Sequence, residues 1–406
     1  MKITHPLHPK PEHSVGDIFH LYGDTYDKAH ALSPEQCKVL RTLSKCRTSA
    51  LGGHLYECED QCGYEIPVYN SCRNRHCPLC QGIAMRKWLA KRMEELLDVP
   101  YYHTIFTISH GFDVLIPYNE RLFYDALFEA ASWSLDFMSR KVYDGTFGTT
   151  AVLHTWGQKL QRHVHLHCLV TGGALSLDRK SWIPIGDKYL VNVEELAVKF
   201  RDRFCHIIRR YYRKDLLVFK GDTTYLSRGQ AFESFMEEQE AKLWHVYCQP
   251  PFAGPEKVVE YLSRYSHRVA ISNRRILSVE NGQVAFSYKD YKDEDAQKKP
   301  KVKTAYYTIE KFITCFLLHV LPKGFQKIRY FGFIGGSQRH EKIELCRTLI
   351  QQHPSMPSYP VQDKDPEPAT FEPAVCPRCG APLVVKARLK PKRAGPKTWK
   401  GQRKVA

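Results

Sequence analysis

The run HVHLHCLV at residues 163–170 places histidines at every second position. Side chains alternate along a strand, so His163, His165 and His167 share one face, and Val164, Leu166, Cys168 and Val170 share the other. Two imidazoles at i and i+2, His165 and His167, can bind one divalent ion, which then needs a third ligand. The preceding segment LHTWGQ offers His154 and Gln158, and His163 is a further candidate. Read without context, the same strand serves equally well as a row of exposed polar residues. A second chemical pattern lies in VVEYLSRYSHR at residues 258–268. On a helix Tyr261 and Tyr265 lie one above the other on one face. Such a pair is ordinarily packing. Here Arg264, Arg268, Arg274 and Arg275 surround it, a dense set of phosphate-binding groups around two oxygen nucleophiles.

The third pattern is cysteine. Cys58-EDQ-Cys62 is followed by Cys72-RNR-His76-Cys77-PL-Cys80, in a segment without helical periodicity. Two short pairs about fifteen residues apart match a structural zinc site, because each tight turn offers two thiolates to a tetrahedral ion. The expected set is Cys58, Cys62, Cys77 and Cys80. Cys72, His76 and His54 are surplus donors, able to replace a member of that set or to serve a second ion. Cys376 and Cys379 form another CxxC with no partner pair in the residues that follow, so it reads as half a ribbon completed by a distant His or Cys, or as a remnant.

The elements that must position these groups follow from periodicity. Residues 1 to about 50 read as polar helices, with Ser33-Pro34-Glu35 as a helix start. Residues 83–97 read as an amphipathic helix, 101–110 as a strand, 118–143 as a long helix, 149–157 and 163–171 as paired strands, and 192–212 as an Arg-rich helix. A short strand at 243–249 precedes the tyrosine helix, and a hairpin follows with Asn281-Gly282 at its turn. This order predicts an α+β fold with a largely antiparallel sheet. Composition and element order divide the chain into three segments: an N-terminal helical and zinc-binding domain at 1–98, a mixed α/β domain at 99–345, and a Pro-rich linker, lone CxxC and flexible basic tail at 346–406.

Sixty Lys and Arg against 43 Asp and Glu leave a net charge of +17, which favours a polyanionic partner such as DNA. No membrane partner is expected, because the longest apolar stretch, Phe312 to Leu321, is about half a bilayer span and contains His319. The first residues lack the apolar segment of a signal peptide. Fourteen cysteines in a cytoplasmic protein call for metal rather than for disulfides.

Taken together, a His-apolar-His strand, a downstream YxxxY helix and an upstream cysteine knuckle resemble the two-tyrosine HUH nucleases. Among these the chain resembles the rolling-circle transposases of bacterial insertion sequences of family ninety-one. The resemblance rests on YNSCRNRHCPLCQ at 69–81, HTWGQ at 154–158, HVHLHCLVTGG at 163–173, YLSRYSHRVAISNRRI at 261–276 and FLLHVLPKGFQKIRYFGF at 316–333, in the family's order. Val164 stands where members commonly carry Pro, on the back of the strand. What the resemblance implies is an antiparallel HUH nuclease domain in which Mg²⁺ or Mn²⁺ on His165 and His167 polarises a scissile phosphate. Tyr261 or Tyr265 then attacks it, giving a 5′-phosphotyrosine and a free 3′-OH. The implied partners are the single-stranded ends of its own element and target DNA, at the bacterial nucleoid, with Zn²⁺ as a structural ion. Two other readings are a plasmid relaxase or rolling-circle replication initiator, and a zinc-dependent DNA-binding protein without catalysis.

Overall fold

The computed structural model describes residues 12–186, 190–252, 269–294, 299–352 and 375–392. The chain divides into two compact units: Met1–Ile83 with Ile271–Leu317 and Lys364–Ala406, and Ala84–Ala270 with Leu318–Asp363. Neither unit is a continuous stretch, unlike the three consecutive segments expected from composition.

The first unit begins with α1 (Val15–Ala29) and α2 (Pro34–Leu43). The helix start read from Ser33-Pro34-Glu35 is a full capping box. Ser33 Oγ accepts from the Gln36 amide, and Gln36 Oε1 accepts from the Ser33 amide at 2.9 Å. The apolar faces of the two helices bury Val15, Ile18, Phe19, Val39, Leu40 and Leu43. A third helix, α7 (Ile309–Leu317), joins them: the Phe316 ring meets Phe19 edge-on at 5.2 Å. A three-stranded antiparallel sheet packs Phe286 against Phe312 of α7; its strands are β8 (Ile276–Glu280), β9 (Gln283–Glu294) and β10 (Pro300–Thr308). The expected turn joins β8 to β9. Asn281 and Gly282 both have positive φ, 49° and 73°, the combination that a two-residue hairpin matched to strand twist requires.

The other sheet of this unit was not foreseen. It has the order β12-β1-β2, built from β1 (Gly53–Cys58), β2 (Glu65–Tyr69) and β12 (Leu383–Leu389). Residues 383–389, expected as part of a flexible basic tail, form a strand paired with β1 from Gly53↔Leu389 to Cys58↔Leu383. The misreading has a physical cause. Strand β12 is LVVKARL, largely exposed although mostly apolar and without a regular apolar–polar alternation, so the pattern that marks a half-buried strand is missing.

The second unit is a six-stranded antiparallel sheet with helices on both faces. Its order is β11-β4-β5-β3-β7, from β3 (Tyr101–Thr107), β4 (Gly145–Trp156), β5 (Arg162–Ser176), β7 (Val246–Phe252) and β11 (Ile328–Gly332). The short β6 (Trp182–Pro184) pairs with the far end of β5. Against one face lie α4 (Ile116–Tyr143), α5 (Val193–Arg213) and α6 (Gly229–Ala241). They bury Phe106, Leu153, Val164, Leu166, Cys168 and Val170 of the sheet with Phe112, Phe200, Phe204 and Trp244. Each fully buried ring of this kind contributes on the order of 2 kcal/mol. The opposite face is partly covered by α8 (Arg339–Gln351), whose Ile343, Cys346 and Ile350 pack on Tyr101, Leu169 and Trp182. Helix α3 (Gln81–Met93) adds Trp88, whose indole N–H donates to the Tyr330 hydroxyl on β11 at 3.1 Å. Beyond the end of α8's coverage, that second face carries the histidines.

Candidate metal centre

Strand β5 is the axis of the site. Its even positions point into the helix-covered core, so its odd positions, His163, His165 and His167, face the other side. Register then decides what joins them. His154 on β4 stands directly opposite His165, and Ile105 and Thr107 on β3 stand opposite His167 and His165. The ring nitrogens of His154, His165 and His167 include one ligand atom each that lie within 4.8 Å of one another. Of the candidates for a third ligand, the structure brings His154 into this group. Gln158 lies in the turn beyond β4, and the His163 ring stacks toward His110 at 5.4 Å. His163 does not belong to the group of three.

Protonation states follow from hydrogen bonds. His165 Nδ1 lies 2.8 Å from the His163 carbonyl, which can only accept, so the proton sits on Nδ1 and Nε2 presents its lone pair. His167 is held by a relay across two further strands. His167 Nδ1 meets His103 Nε2 at 2.9 Å, and His103 Nδ1 meets Gln249 Oε1 at 3.2 Å. With the Gln249 oxygen as acceptor, His103 carries its proton on Nδ1. His167 then donates from Nδ1 and turns Nε2 toward the site. Burial pushes His103 down to about 4 and, reinforced by the charge of His163, pushes His165 down to about 3. Both imidazoles are therefore neutral at pH 7, the form that binds a metal. His154 is buried, its ring stacked on Trp156 at 4.7 Å.

A third support holds the β4–β5 turn. His319 Nε2 donates to the Leu160 carbonyl at 3.1 Å, and its Nδ1 accepts from Thr155 Oγ1 at 3.1 Å. His319 is fully enclosed, and burial pushes it down to about 4. His103, Gln249 and His319 were not singled out from the sequence. His103 sits in YYHTIFTISH, an unremarked polar residue on an otherwise apolar strand, and only the β3–β5–β7 register shows what it faces.

Tyr261, Tyr265, Arg264 and Arg268 lie outside the described residues. Arg274 is exposed, whereas Arg275 donates from Nε to the Ser287 carbonyl at 2.7 Å and lies over the Phe286 ring. Arg275 thus also serves the β8–β9 hairpin.

The cysteines of the first unit correct the expected grouping. Cys58, Cys62, Cys77 and Cys80 do not form one set. Cys77 and Cys80 join Cys46 and Cys72, and Cys58 and Cys62 join Cys376 and Cys379. In the first set Cys46 Sγ lies 3.6 Å from Cys80 and 3.5 Å from Cys77, and Cys72 lies 3.6 Å from Cys80. A tetrahedron of sulfurs at about 2.3 Å from zinc has edges near 3.8 Å, so these spacings suit a zinc ion and are far too long for disulfides. Crowding makes the thiols unequal: hydrogen bonds from Cys46, Cys72 and Cys77 depress Cys80 strongly, while those from Cys46, Cys72 and Cys80 raise Cys77. A bound cation removes that conflict by favouring all four thiolates. His76 and His54 belong to neither set. The reason for the misassignment is that Cys46, just beyond α2, comes before the visible cluster, and sequence proximity gave it no weight.

Comparison with known proteins covers both the zinc-binding segment and the histidine sheet. Residues 148–342 match a family described as "Putative transposase", and residues 18–108 match a family described as "Transposase zinc-binding domain". The chain is 41% identical over 347 residues to "Putative transposase y4qJ" of Sinorhizobium fredii, covering 85% of this chain and 86% of that protein. It is 27% identical over 318 residues to the transposase for insertion sequence element IS801 of Pseudomonas savastanoi pv. phaseolicola, covering 74% and 70%. No described helix is long and apolar enough to cross a membrane. Relatedness of this extent, over both the zinc-binding segment and the histidine sheet, makes the chain a member of the IS91 family of transposases.

Proposed function

We propose that the second unit is an HUH nuclease domain that cuts and rejoins single-stranded DNA at a metal ion held by His154, His165 and His167, with Tyr261 and Tyr265 as nucleophiles. The observation that carries this reading is the convergence of three imidazoles on one sheet face, with the tautomers of His165 and His167 set by their hydrogen bonds. A divalent ion there would supply Lewis-acid polarisation of a phosphate oxygen. The chain's own groups do the rest. A tyrosine oxygen forms a bond to phosphorus, the phosphorus–O3′ bond breaks, and the phenolic proton ends on the departing 3′-oxygen. The phosphodiester's bond energy is kept in the 5′-phosphotyrosine, so a later 3′-OH can reverse the step without ATP. Arg264, Arg268 and Arg274 are placed in sequence to hold phosphates beside the tyrosines. Such a substrate puts the protein's work at the nucleoid.

The donor set discriminates between the two ions proposed. Three imidazoles without a carboxylate suit Mn²⁺ better than Mg²⁺, which prefers oxygen. The test is to incubate the full chain with Mn²⁺ or Mg²⁺ and single-stranded DNA carrying its element's ends, then resolve covalent protein–DNA adducts on a denaturing gel. We expect an adduct, more with Mn²⁺, and none in the Tyr261→Phe, Tyr265→Phe double variant. Absence of an adduct with the unaltered chain overturns the enzymatic reading. Persistence in the double variant overturns the tyrosine assignment.

A further inference from the structure

Cys376 and Cys379 lie far outside the matched zinc-binding segment, which ends at residue 108. They are also separated from Cys58 and Cys62 by more than three hundred residues, yet the sulfurs meet. Cys58 Sγ is 3.2 Å from Cys379 and Cys62 Sγ is 3.5 Å from Cys376. All four ligand atoms fall within 4.8 Å of one another. None of the four is in a disulfide.

The surroundings are those of a built knuckle. Each pair sits at a turn at the same end of the β12-β1-β2 sheet. Cys58 closes β1, and an isolated bridge between Val375 and Pro382 closes the turn that holds Cys376 and Cys379. Backbone amides aim at the sulfurs: those of Arg378 and Cys379 at Cys376, that of Ala381 at Cys379 and that of Tyr64 at Cys62. Amides donating to sulfur offset part of the charge of a tetrathiolate, the outer-shell support expected of a metal ligand. Beneath the turns, Cys58, Cys376 and Leu383 are buried together with Tyr64 and Ile66 packed on them. With Tyr56 and Ala381, that small cluster is the apolar support of this end of the sheet among the described residues. Joining such distant segments costs loop-closure entropy, and a cross-link offsets it.

We propose that Cys58, Cys62, Cys376 and Cys379 bind a second structural zinc ion, which clasps residues 375–392 onto β1 as the third strand of the β12-β1-β2 sheet. The protein then carries two tetrathiolate zinc sites, one with Cys46, Cys72, Cys77 and Cys80 and one that spans nearly the whole sequence.

The test counts zinc in the full chain by mass spectrometry of the metal. It uses a His165→Ala, His167→Ala background, so that the histidine centre adds nothing to the count. We expect two equivalents in that parent and one after Cys376→Ser with Cys379→Ser. A Cys379→His variant should keep both, since imidazole can replace a thiolate at zinc. Its cobalt-substituted form should show a weaker sulfur charge-transfer band than the parent. Hydrogen exchange supplies the structural readout: amides of residues 383–389 should lose protection in the serine variant while those of residues 162–176 keep theirs. A parent that binds a single zinc overturns the proposal, as does a serine variant that retains two. Loss of zinc from both the serine and the histidine variants would show that the position tolerates no change for packing reasons, and overturns the ligand role.

Discussion

The proposed histidine centre would draw its three ligands from residues 154 to 167, on two strands of one hairpin, and two more strands of the same sheet hold His167 through His103 and Gln249. The two cysteine sets draw theirs from Cys46 to Cys379, and the proposed second site sits on turns and strand ends beside a small apolar cluster. In the first case the fold precedes the metal. A sheet buried under α4 and α5 fixes the imidazoles whether or not an ion is bound, as the proposed exchange of ligands at that centre would require. In the second case the metal stands in for a core. Small elements with a few buried residues reach stability through thiolate bonds. Metal removal and ligand substitution should therefore act on separate properties in the two units.

The largest effect that separates them is catalytic. His165→Ala with His167→Ala should lower adduct formation by more than about a hundredfold, beyond the ~10–100-fold typical of an outer-shell partner. The thermal transition of the second unit should change little. A collapse of that transition would mean that the histidines hold the sheet together, and that the fold does not precede the metal there.

Chelation should do the reverse. A strong zinc chelator is expected to strip amide protection from residues 53–69 and 383–389 and to leave β4 and β5 protected in hydrogen exchange. Loss of protection in both units at one chelator concentration would contradict the division.

Acid should act on the second unit through its buried imidazoles, His319 contributing beside His103 and His165. The folded pKa of His319, about 4, lies below the ordinary imidazole value near 6.5. As pH falls below about 6.5 the unfolded chain binds a proton that the folded chain refuses, so stability is full above that pH and declines toward pH 4. The loss is on the order of 3 kcal/mol, since each tenfold difference in proton affinity between the folded and unfolded chain is worth about 1.4 kcal/mol. His319→Gln, which cannot charge, should flatten that decline in urea titrations at pH 7 and pH 4.5. An unchanged slope would place the acid sensitivity elsewhere.

The smallest effect tests the relay. His103→Ala should weaken metal affinity at the centre by about 10–100-fold while leaving zinc in the cysteine sites untouched. Calorimetric titration with Mn²⁺ reads it directly. An unaltered affinity would mean that the contact between His103 and His167 does not orient the ligand.

What the sequence revealed divides along the same line. Local rules worked: the Ser33 capping box, the Asn281-Gly282 turn and the shared face of His165 and His167 all follow from spacings of one to four residues. Even His154 was within reach, since the hairpin partner of a histidine strand can only place a few residues opposite it. His103 and Gln249 were not, because strands β3 and β7 reach β5 through pairings that no local pattern encodes. The cysteines show the opposite hazard. Grouping by proximity paired Cys58 and Cys62 with Cys77 and Cys80, while the fold shares them between two sets that interleave along the chain. Thiolates have no preferred sequence distance, only a preferred geometry, so cysteine spacing predicts knuckles well and their partners poorly.

The placement of β12 has a consequence for the order of assembly. A ribosome completes β1 and β2 early, then all of β3 to β11, and only afterwards residues 375–392. The second unit's sheet can therefore form while the first unit still exposes an open edge on β1 and an unfilled pair of thiols. A chain interrupted before residue 375 would carry a finished histidine sheet beside a half-made knuckle. Such a product would leave the β1 edge without β12, and Cys58 and Cys62 without the sulfurs of Cys376 and Cys379.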